Sequence, residues 1–239
     1  SFLIGAYEFL LDWHRDWYSE NEAEKWAKGK EPRLFAGKNG WQLTTAEKKR
    51  ILLNNIYGVD IDPQAVEVSK LSLLLKVLEE ESQETINAQL KFFHERALPD
   101  LGNNIKCGNS LIGTDFYEGQ QMGLLDEEEM YRVNAFDWDG SGGFPEIIKA
   151  GGFDAVIGNP PYGAYLFDTE KSYLVSKYES QSYQLESYLL FLEKSVNDLL
   201  AEEGFFGMII PNPWLTNLRQ KGIRRFVTRN VRIVEIAHF

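Results

Sequence analysis

Apolar and polar positions follow two different spacings along the chain, and the changes between them mark the predicted elements. Residues 55–63 and 153–162 each contain a short, apolar, β-branched run that ends in polar residues. Such runs are typical of strands buried in a parallel sheet. Residues 104–111 and 205–211 have the same character, and residues 232–237 predict a final strand.

Helical spacing separates these predicted strands. Apolar residues recur every three or four positions over residues 1–18, 64–80 and 188–200, which predicts amphipathic helices, the second of them mostly buried. Gly204 is expected to end the third helix. Because strands and helices alternate, the pattern favours an α/β fold.

Two helix starts are marked by their own residues. The run from Thr44 to Glu47 has the capping-box pattern and predicts a helix that continues through Leu53. Pro63 suits the first turn of a helix, and Asp62 before it suits the N-cap. Both signals place a helix next to a predicted strand.

Three polar segments, at about 19–43, 114–150 and 164–184, interrupt the alternation and predict excursions from one domain. A connection as long as the second is unusual unless it holds a helix of its own. Residues 165–183 are rich in tyrosine and predict an exposed loop beside a site, either a lid or a disordered segment.

The charge balance narrows the function classes. The 239 residues carry a formal net charge of −11, whereas proteins that bind DNA by themselves usually have a basic excess. The chain is therefore expected to bind DNA poorly alone. The basic residues near its end are Arg219, Lys221, Arg224, Arg225, Arg229 and Arg232. Half of them fit an ordinary solvated helix face, and the rest could face nucleic acid.

Cysteine and histidine usage excludes two kinds of site. Cys107 is the single cysteine, which rules out a disulfide framework, favours a reducing cytoplasmic setting and is expected to be a core thiol. His14, His94 and His238 lack ligand spacing, so no metal site is predicted. The sequence contains no signal peptide pattern and no apolar run of membrane-spanning length.

The candidate chemistry lies in the run from Asn159 to Tyr162, which follows the predicted strand Ala155–Ile157. In an open α/β sheet, ligands bind just beyond the carboxyl ends of the strands. Two prolines stiffen this run, Asn159 offers an amide donor and acceptor, and Tyr162 offers a flat aromatic face. The run predicts a rigid polar clamp beside a stacking platform. The alternative is a strand that ends in a proline turn.

Two other predicted strands also end in polar residues. An acidic residue at the position of Asp60 accepts hydrogen bonds from ribose hydroxyls in dinucleotide-type sites. Asn109 would lie on the same edge as Asp60 and Asn159 if the strands are parallel. Taken alone, Asn109 favours a turn residue over a ligand contact.

The order of these motifs resembles the gamma class of N6-adenine DNA methyltransferases, which use S-adenosylmethionine. Tyr57–Pro63 resembles their acidic ribose motif, Cys107–Leu111 their adenine motif, and Phe153–Tyr162 their catalytic motif; Phe191–Lys194 and Gly207–Pro211 resemble the helix and strand that follow. Asn55–Val68, with Phe136–Trp138 and Phe144–Ile147, is most similar to large type IIG restriction-and-modification proteins.

The resemblance implies a fold: a Rossmann-like methyltransferase sheet flanked by helices. Ser1–Gly5 resembles the tail of the family's glycine-rich cofactor loop, so the N-terminal strand and that loop are expected to be missing. Residues 1–239 are then expected to form a partial methyltransferase catalytic domain that is inactive by itself. A recognition domain elsewhere would bind double-stranded DNA.

The resemblance also implies roles for single residues. It assigns catalysis to Asn159, Pro160, Pro161 and Tyr162. It assigns binding of S-adenosylmethionine to Asp60, Ile61, Asn109 and Phe191, without a metal. Three alternatives remain open: a protein-glutamine methyltransferase with the same clamp, an RNA adenine methyltransferase, and an inactive scaffold.

Overall fold

The structure is a computed structural model that describes residues 2–37, 40–79, 99–118, 127–163, 165–179 and 185–237. The chain divides into two compact units, Ser1–Cys107 and Gly108–Phe239, which we call the N-terminal and C-terminal units. Both units combine helices with a parallel strand pair, so the fold is mixed α/β.

The N-terminal unit begins with a long helix and contains two strand pairs. Its described helices are α1 (Phe2–Glu20), α2 (Ala23–Trp26), α3 (Thr45–Asn55) and α4 (Pro63–Leu78). Its described strands are β1 (Leu34–Gly37), β2 (Gly40–Leu43), β3 (Gly58–Asp60) and β4 (Ile105–Cys107). β1 and β2 are antiparallel, whereas β3 and β4 are parallel and place Asp60 opposite Cys107.

Both predicted helix starts are confirmed. The Thr44 hydroxyl accepts a hydrogen bond from the Glu47 backbone N–H at 3.2 Å and caps α3. The Asp62 carboxylate accepts from the Gln64 N–H at 2.8 Å, and Pro63 occupies the first turn of α4. These caps satisfy N–H groups that have no partner inside a helix.

The prediction that α4 is mostly buried is wrong. Val66, Leu73 and Val77 are buried, whereas Val68, Leu71 and Leu75 are exposed. Apolar residues occur on several sides of this helix, but only one side packs against the core of the N-terminal unit. Burial could not be deduced from hydrophobicity alone, because the helix lacks a clear polar face.

A buried carboxylate ties α1 to α3. The Tyr18 hydroxyl donates to Glu47 Oε1 at 2.6 Å, and the Arg50 guanidinium donates to both Glu47 oxygens at 2.7 and 2.8 Å. Burial acts to raise the pKa of Glu47, but the hydrogen bonds from Arg50 and Tyr18 outweigh it and lower the pKa below its usual range. The charged form of Glu47 therefore stabilises the fold.

We expect Glu47→Gln to lower the free energy of unfolding by about 1.5–3 kcal/mol at neutral pH, because a hydrogen-bonded charge is lost. A carboxylate with a depressed folded pKa stabilises above its unfolded pKa, near 4.5, and loses that contribution as pH falls through the folded pKa. Urea unfolding at pH 7 and pH 3.5 should show a smaller difference between variant and wild type in acid. An equal difference at both pH values would contradict this role.

The C-terminal unit carries the predicted clamp. Its described helices are α5 (Glu127–Val133), α6 (Pro145–Lys149), α7 (Asp168–Lys177), α8 (Ser187–Lys194), α9 (Pro213–Thr216) and α10 (Lys221–Asn230). Short turns of 3₁₀ helix lie at Thr114–Tyr117 and Leu218–Gln220, and a π-helical turn at Ser195–Leu199. Its described strands, β5 (Phe153–Gly158) and β6 (Leu200–Met208), are parallel.

β6 begins earlier than the pattern predicts. Leu200 already pairs with Phe153, and after an irregularity in the register Phe205 pairs with Ala155. Gly204 therefore lies inside the strand, and the prediction that it ends a helix is wrong. The irregularity lets one strand keep pairing across a stretch that looks like a turn in the sequence.

The parallel pair β5–β6 packs on one face only among the described residues. Phe206 and Ile210 pack against a cluster formed by Tyr188, Leu189, Leu192, Trp214, Ile223 and Val227. On β5, Ile157 is 42% exposed, and on β6, Phe205 is 74% exposed. Successive side chains in a strand point to opposite faces, so the prediction of strands buried on both sides is wrong within this unit.

Two further predictions are wrong. Residues 232–237 run without strand structure, because no neighbouring strand pairs with them among the described residues. Cys107 is exposed rather than in the core, because it is the last residue of β4, where its sulfur lies 3.6 Å from the Ile61 carbonyl oxygen. The first error arises because an apolar run forms a strand only where a neighbouring strand pairs with it, and the second because a residue at a strand end can face solvent.

The three polar segments contain regular structure. The first holds α2 and the β1–β2 hairpin, and the second holds α5 and α6. In the third, α7 replaces the predicted loop; Glu170 accepts from the Phe167 N–H at 2.9 Å, and Leu174 is buried. Residues 38–39, 119–126, 164 and 180–184 of these segments lie outside the described residues.

Candidate active site

The loop after β5 leaves the sheet at a well-anchored point. The Ile209 N–H donates to the Gly158 carbonyl at 3.1 Å, which extends the β5–β6 pairing to the last residue before the loop. Asn159 and Tyr162 are exposed, and Pro160 between them is buried. The loop therefore projects polar groups into solvent from a fixed base.

The Tyr162 hydroxyl connects the tip of the loop to β6. It lies 2.8 Å from Asn159 Oδ1 and 2.9 Å from the Ile209 carbonyl oxygen. A phenol carries one proton, so these two acceptors share it. The hydroxyl can keep its contact with Ile209 when another donor approaches Asn159, and the amide oxygen stays oriented.

The first turn of α8 holds the loop from the other side. The buried Ser187 hydroxyl donates to the Pro161 carbonyl at 2.6 Å. The buried ring of Tyr188 meets the Tyr162 ring edge to face, with centroids 6.3 Å apart and planes at 84°. Edge-to-face pairs of this kind favour one ring orientation. The loop is thus held at Gly158, Pro161 and Tyr162.

Asp60 and Ile61 lie in the N-terminal unit, at the carboxyl end of β3. Asp60 is exposed, and its Oδ1 accepts from the Asp62 N–H at 2.9 Å. Among the described residues no donor contacts the other carboxylate oxygen of Asp60. The Ile61 side chain beside it is 50% exposed. A carboxylate with an open oxygen next to an exposed apolar side chain fits the ribose and base of a nucleoside.

Asn109 and Phe191 lie in the C-terminal unit. The Asn109 N–H donates to the Asn134 carbonyl at 2.7 Å, and its Oδ1 accepts from the Leu111 N–H at 3.1 Å. Asn109 forms an isolated β-bridge with Ala135, and its side-chain oxygen supports the turn that follows. Among the described residues no acceptor contacts Nδ2, and the choice between a turn residue and a ligand contact stays a prediction. Phe191 is half-buried and packs against the cluster that contains Leu111 and Ile112.

The residues that fix the loop could not be identified from the sequence. The hydroxyl of Ser187 and the carbonyl of Ile209 contact the loop from positions distant in the chain, the first of them 26 residues from Pro161. Ser187 directly precedes the predicted helix at 188, but nothing in the spacing indicates its partner. Contacts of this kind depend on how segments pack and leave no local signal.

The described residues lack two kinds of feature. They contain no group of three or more His, Cys, Asp or Glu residues that is placed to hold a metal ion, and His94 and His238 lie outside them. The described helices also include none with both the length and the apolar character that a membrane crossing requires.

Comparison with known proteins gives a consistent set of relatives. The type II restriction enzyme and methyltransferase RM.Eco57I of Escherichia coli is 31% identical over 100% of this chain and 21% of its own length. The adenine-specific methyltransferase PglX of Streptomyces coelicolor is 26% identical over 48% of the chain and 9% of its own length. The type II methyltransferase M.BstVI of Geobacillus stearothermophilus is 32% identical over 37% of the chain and 15% of its own length.

The chain therefore spans about a fifth of the first of these relatives. Residues 54–239 match the sequence profile of the Eco57I restriction-modification methylase family. The matched region contains β3, Asn109, the loop after β5 and α8. This chain belongs to the Eco57I restriction-modification methylase family, whose members include type II restriction-modification methyltransferases.

Proposed function

We propose that this chain transfers a methyl group from S-adenosylmethionine to the N6 amine of a flipped adenine in DNA, within a restriction-modification system. The observation that carries the proposal is the loop after β5. It presents the Asn159 amide from a base fixed by Ile209 and Ser187. The name of PglX, an adenine-specific methyltransferase, supports the choice of base.

The loop supplies what an adenine amine lacks as a nucleophile. The lone pair of the adenine amine is delocalised into the ring, so its nitrogen is a poor nucleophile. Asn159 Oδ1 and the Pro160 carbonyl oxygen would each accept one N–H of the amine, which draws the nitrogen towards tetrahedral geometry and localises the lone pair. Fixed acceptors provide this stabilisation without reorganising during the reaction. S-adenosylmethionine, when bound, would supply the electrophilic methyl group, with the C–S bond breaking as the N–C bond forms, S-adenosylhomocysteine as the leaving group and the surplus amine proton released to water.

The Tyr162 hydroxyl prepares Asn159 for this role. An amide oxygen has two lone pairs and can accept from the hydroxyl and from the amine together. The hydroxyl donates to Oδ1, which fixes the amide so that its oxygen rather than its NH₂ group faces the hydroxyl. When the amine binds, the hydroxyl can instead direct its hydrogen bond to the Ile209 carbonyl oxygen at 2.9 Å.

A base inside a duplex cannot reach this loop, so the adenine must leave the helix. Flipping costs a few kcal/mol in lost stacking and pairing. The Tyr162 ring is 51% exposed and can stack on the flipped base, which returns about 1–3 kcal/mol. Stacking therefore offsets much of the cost.

We assign the cofactor to the carboxyl ends of β3 and β4. Asp60 would accept from the ribose hydroxyls, Ile61 would pack on the adenine face, Asn109 would bond the adenine edge, and Phe191 would close the other face. This requires that β3–β4 and β5–β6 belong to one Rossmann-like sheet, and that residues 1–239 form one partial catalytic domain. Calorimetry with S-adenosylmethionine tests these residues without relying on turnover.

Ser187 is a positioning residue in this proposal. We expect Ser187→Ala to lower kcat for methyl transfer about 3- to 10-fold, because one buried hydrogen bond contributes about 0.5–1.5 kcal/mol. The KM for S-adenosylmethionine should not change, since the affected loop holds the target base. Steady-state kinetics on the wild-type and Ser187→Ala forms of the naturally expressed protein measures both kcat and KM.

Ser172→Ala is the matched control, since within the described part of the chain the Ser172 hydroxyl bonds only its own helix, at the Asp168 carbonyl. It should leave kcat and KM unchanged. A Ser187→Ala enzyme with wild-type kcat would remove Ser187 from the positioning role. A fall in kcat that merely follows a loss of folded protein in thermal melts would do the same.

The substrate class can be decided in one experiment. The naturally expressed protein would be incubated with tritiated S-adenosylmethionine and with duplex DNA, a bacterial release factor or RNA in parallel. We expect label in DNA alone. Label in the release factor would favour the protein-glutamine reaction, label in RNA would favour an RNA target, and no label in any sample would favour a scaffold.

A further inference from the structure

α10 carries three basic residues at intervals of four, Lys221, Arg225 and Arg229, which we call the basic stripe. Residues four apart share one face of a helix, and a rise of 1.5 Å per residue separates successive members by about 6 Å. All three are exposed, and none forms an ion pair with a carboxylate among the described residues. The stripe is thus a regular row of cations facing solvent.

The other basic residue within α10, Arg224, has a structural role. It donates to the carbonyl oxygens of Trp214 and Asn217 at 2.6 and 2.7 Å and links α10 to the preceding turns. The opposite face of α10 is apolar and buried through Ile223 and Val227. The apolar face is therefore unavailable to a lipid surface, which amphipathic helices bind with such a face.

The basic stripe lies in the longest stretch of the sequence that has no acidic residue. From Gly204 to Val234 the sequence contains no Asp or Glu, although the whole chain has a formal net charge of −11. A local concentration of cations on an acidic protein attracts a polyanion while the remaining surface repels it. The difference in charge between α10 and the rest of the chain favours a polyanion that contacts α10 rather than the acidic surface.

The stripe is held in a fixed position relative to the loop within the C-terminal unit. Ile223 and Val227 pack in the same cluster as Tyr188, whose ring meets Tyr162. A nucleic-acid backbone bound by α10 would therefore lie at a fixed distance from a base stacked on Tyr162.

From these contacts we propose that the basic stripe binds consecutive phosphates of a DNA strand and positions the strand whose base enters the loop. The stripe spans about 12 Å. Along one strand the phosphates follow at about 3.4 Å of helix axis each, so the stripe runs past about four phosphates, and its three long exposed side chains can each reach one of them. The inference rests on the proposed function, because it takes DNA to be the substrate.

Salt dependence tests the stripe directly. Each phosphate contact contributes about −0.9 to the slope of log affinity against log salt. The triple variant Lys221→Gln, Arg225→Gln and Arg229→Gln should therefore reduce the magnitude of the slope by about 2.7, and Arg225→Gln alone by about 0.9. Fluorescence anisotropy of the naturally expressed protein with a labelled duplex, over a series of salt concentrations, measures this slope.

The matched control is Lys25→Gln, Lys28→Gln and Lys30→Gln, which removes the same charge from exposed positions in the N-terminal unit. It should leave the slope as in wild type. If the stripe variant folds normally and keeps the wild-type slope while the wild-type protein still methylates DNA, the proposal that the basic stripe binds phosphates is wrong and the proposed function stands. A wild-type protein that neither binds nor methylates DNA would instead overturn the proposed function.

Discussion

Replacing Asn159 with alanine is expected to abolish measurable methyl transfer, a loss of at least about 100- to 1,000-fold in kcat. The variant loses the side-chain oxygen that lies 2.8 Å from the Tyr162 hydroxyl and that would accept an N–H of the target amine. Binding of S-adenosylmethionine should stay within about twofold of wild type, because the residues assigned to the cofactor are untouched. A tritiated-methyl assay and calorimetry measure the two properties separately.

Tyr162→Phe is the informative companion of Asn159→Ala. It keeps the aromatic ring for stacking and removes only the hydroxyl between Asn159 and Ile209. We expect kcat to fall about 3- to 10-fold, the effect of one hydrogen bond. If Asn159→Ala retains turnover comparable to that of Tyr162→Phe, Asn159 is not the amine acceptor.

Asp60→Ala is expected to have the second-largest effect, on the cofactor rather than on the base. Hydrogen bonds to a carboxylate contribute about 1.5–3 kcal/mol. The dissociation constant of S-adenosylmethionine should therefore rise about 10- to 150-fold. The residue is exposed at the end of β3, so its loss should leave the fold intact. Calorimetry on the naturally expressed protein measures the change.

Asp62→Asn is the control for Asp60→Ala. Asp62 lies two residues away and caps α4 through the Gln64 N–H, a contact that asparagine can also make. It should leave the affinity for S-adenosylmethionine unchanged. A wild-type affinity in Asp60→Ala, or an equal loss in both variants, would contradict the assignment of the ribose to Asp60.

Local signals made part of this structure predictable. Thr44 and Asp62 cap the helices that they were expected to cap, because an N-cap depends on a hydrogen bond to a residue two or three positions away. The end of β5 at Gly158 follows from an apolar run that stops before Asn159 and two prolines. These features are fixed by neighbours in the sequence.

Features that depend on distant packing were not predictable. The exposure of Phe205 in β6 and of Leu71 in α4 depends on which faces other elements cover. Both elements carry apolar residues on more than one face, so hydrophobicity does not indicate which face is buried. Ser187 contacts Pro161 only because α8 packs beside the loop. The predicted last strand lacks a pairing neighbour among the described residues, and a strand exists only by pairing. The convergence of Asp60 with Asn159 at one sheet edge stays a prediction.

The identity of the methylated atom tests the central claim most directly. DNA incubated with the naturally expressed protein and S-adenosylmethionine would be digested to nucleosides and analysed by mass spectrometry against synthetic standards. The account predicts N6-methyldeoxyadenosine, which is absent when Asn159→Ala replaces the wild-type protein. Methylation only of a cytosine, or N6-methyldeoxyadenosine produced equally by Asn159→Ala, would contradict it.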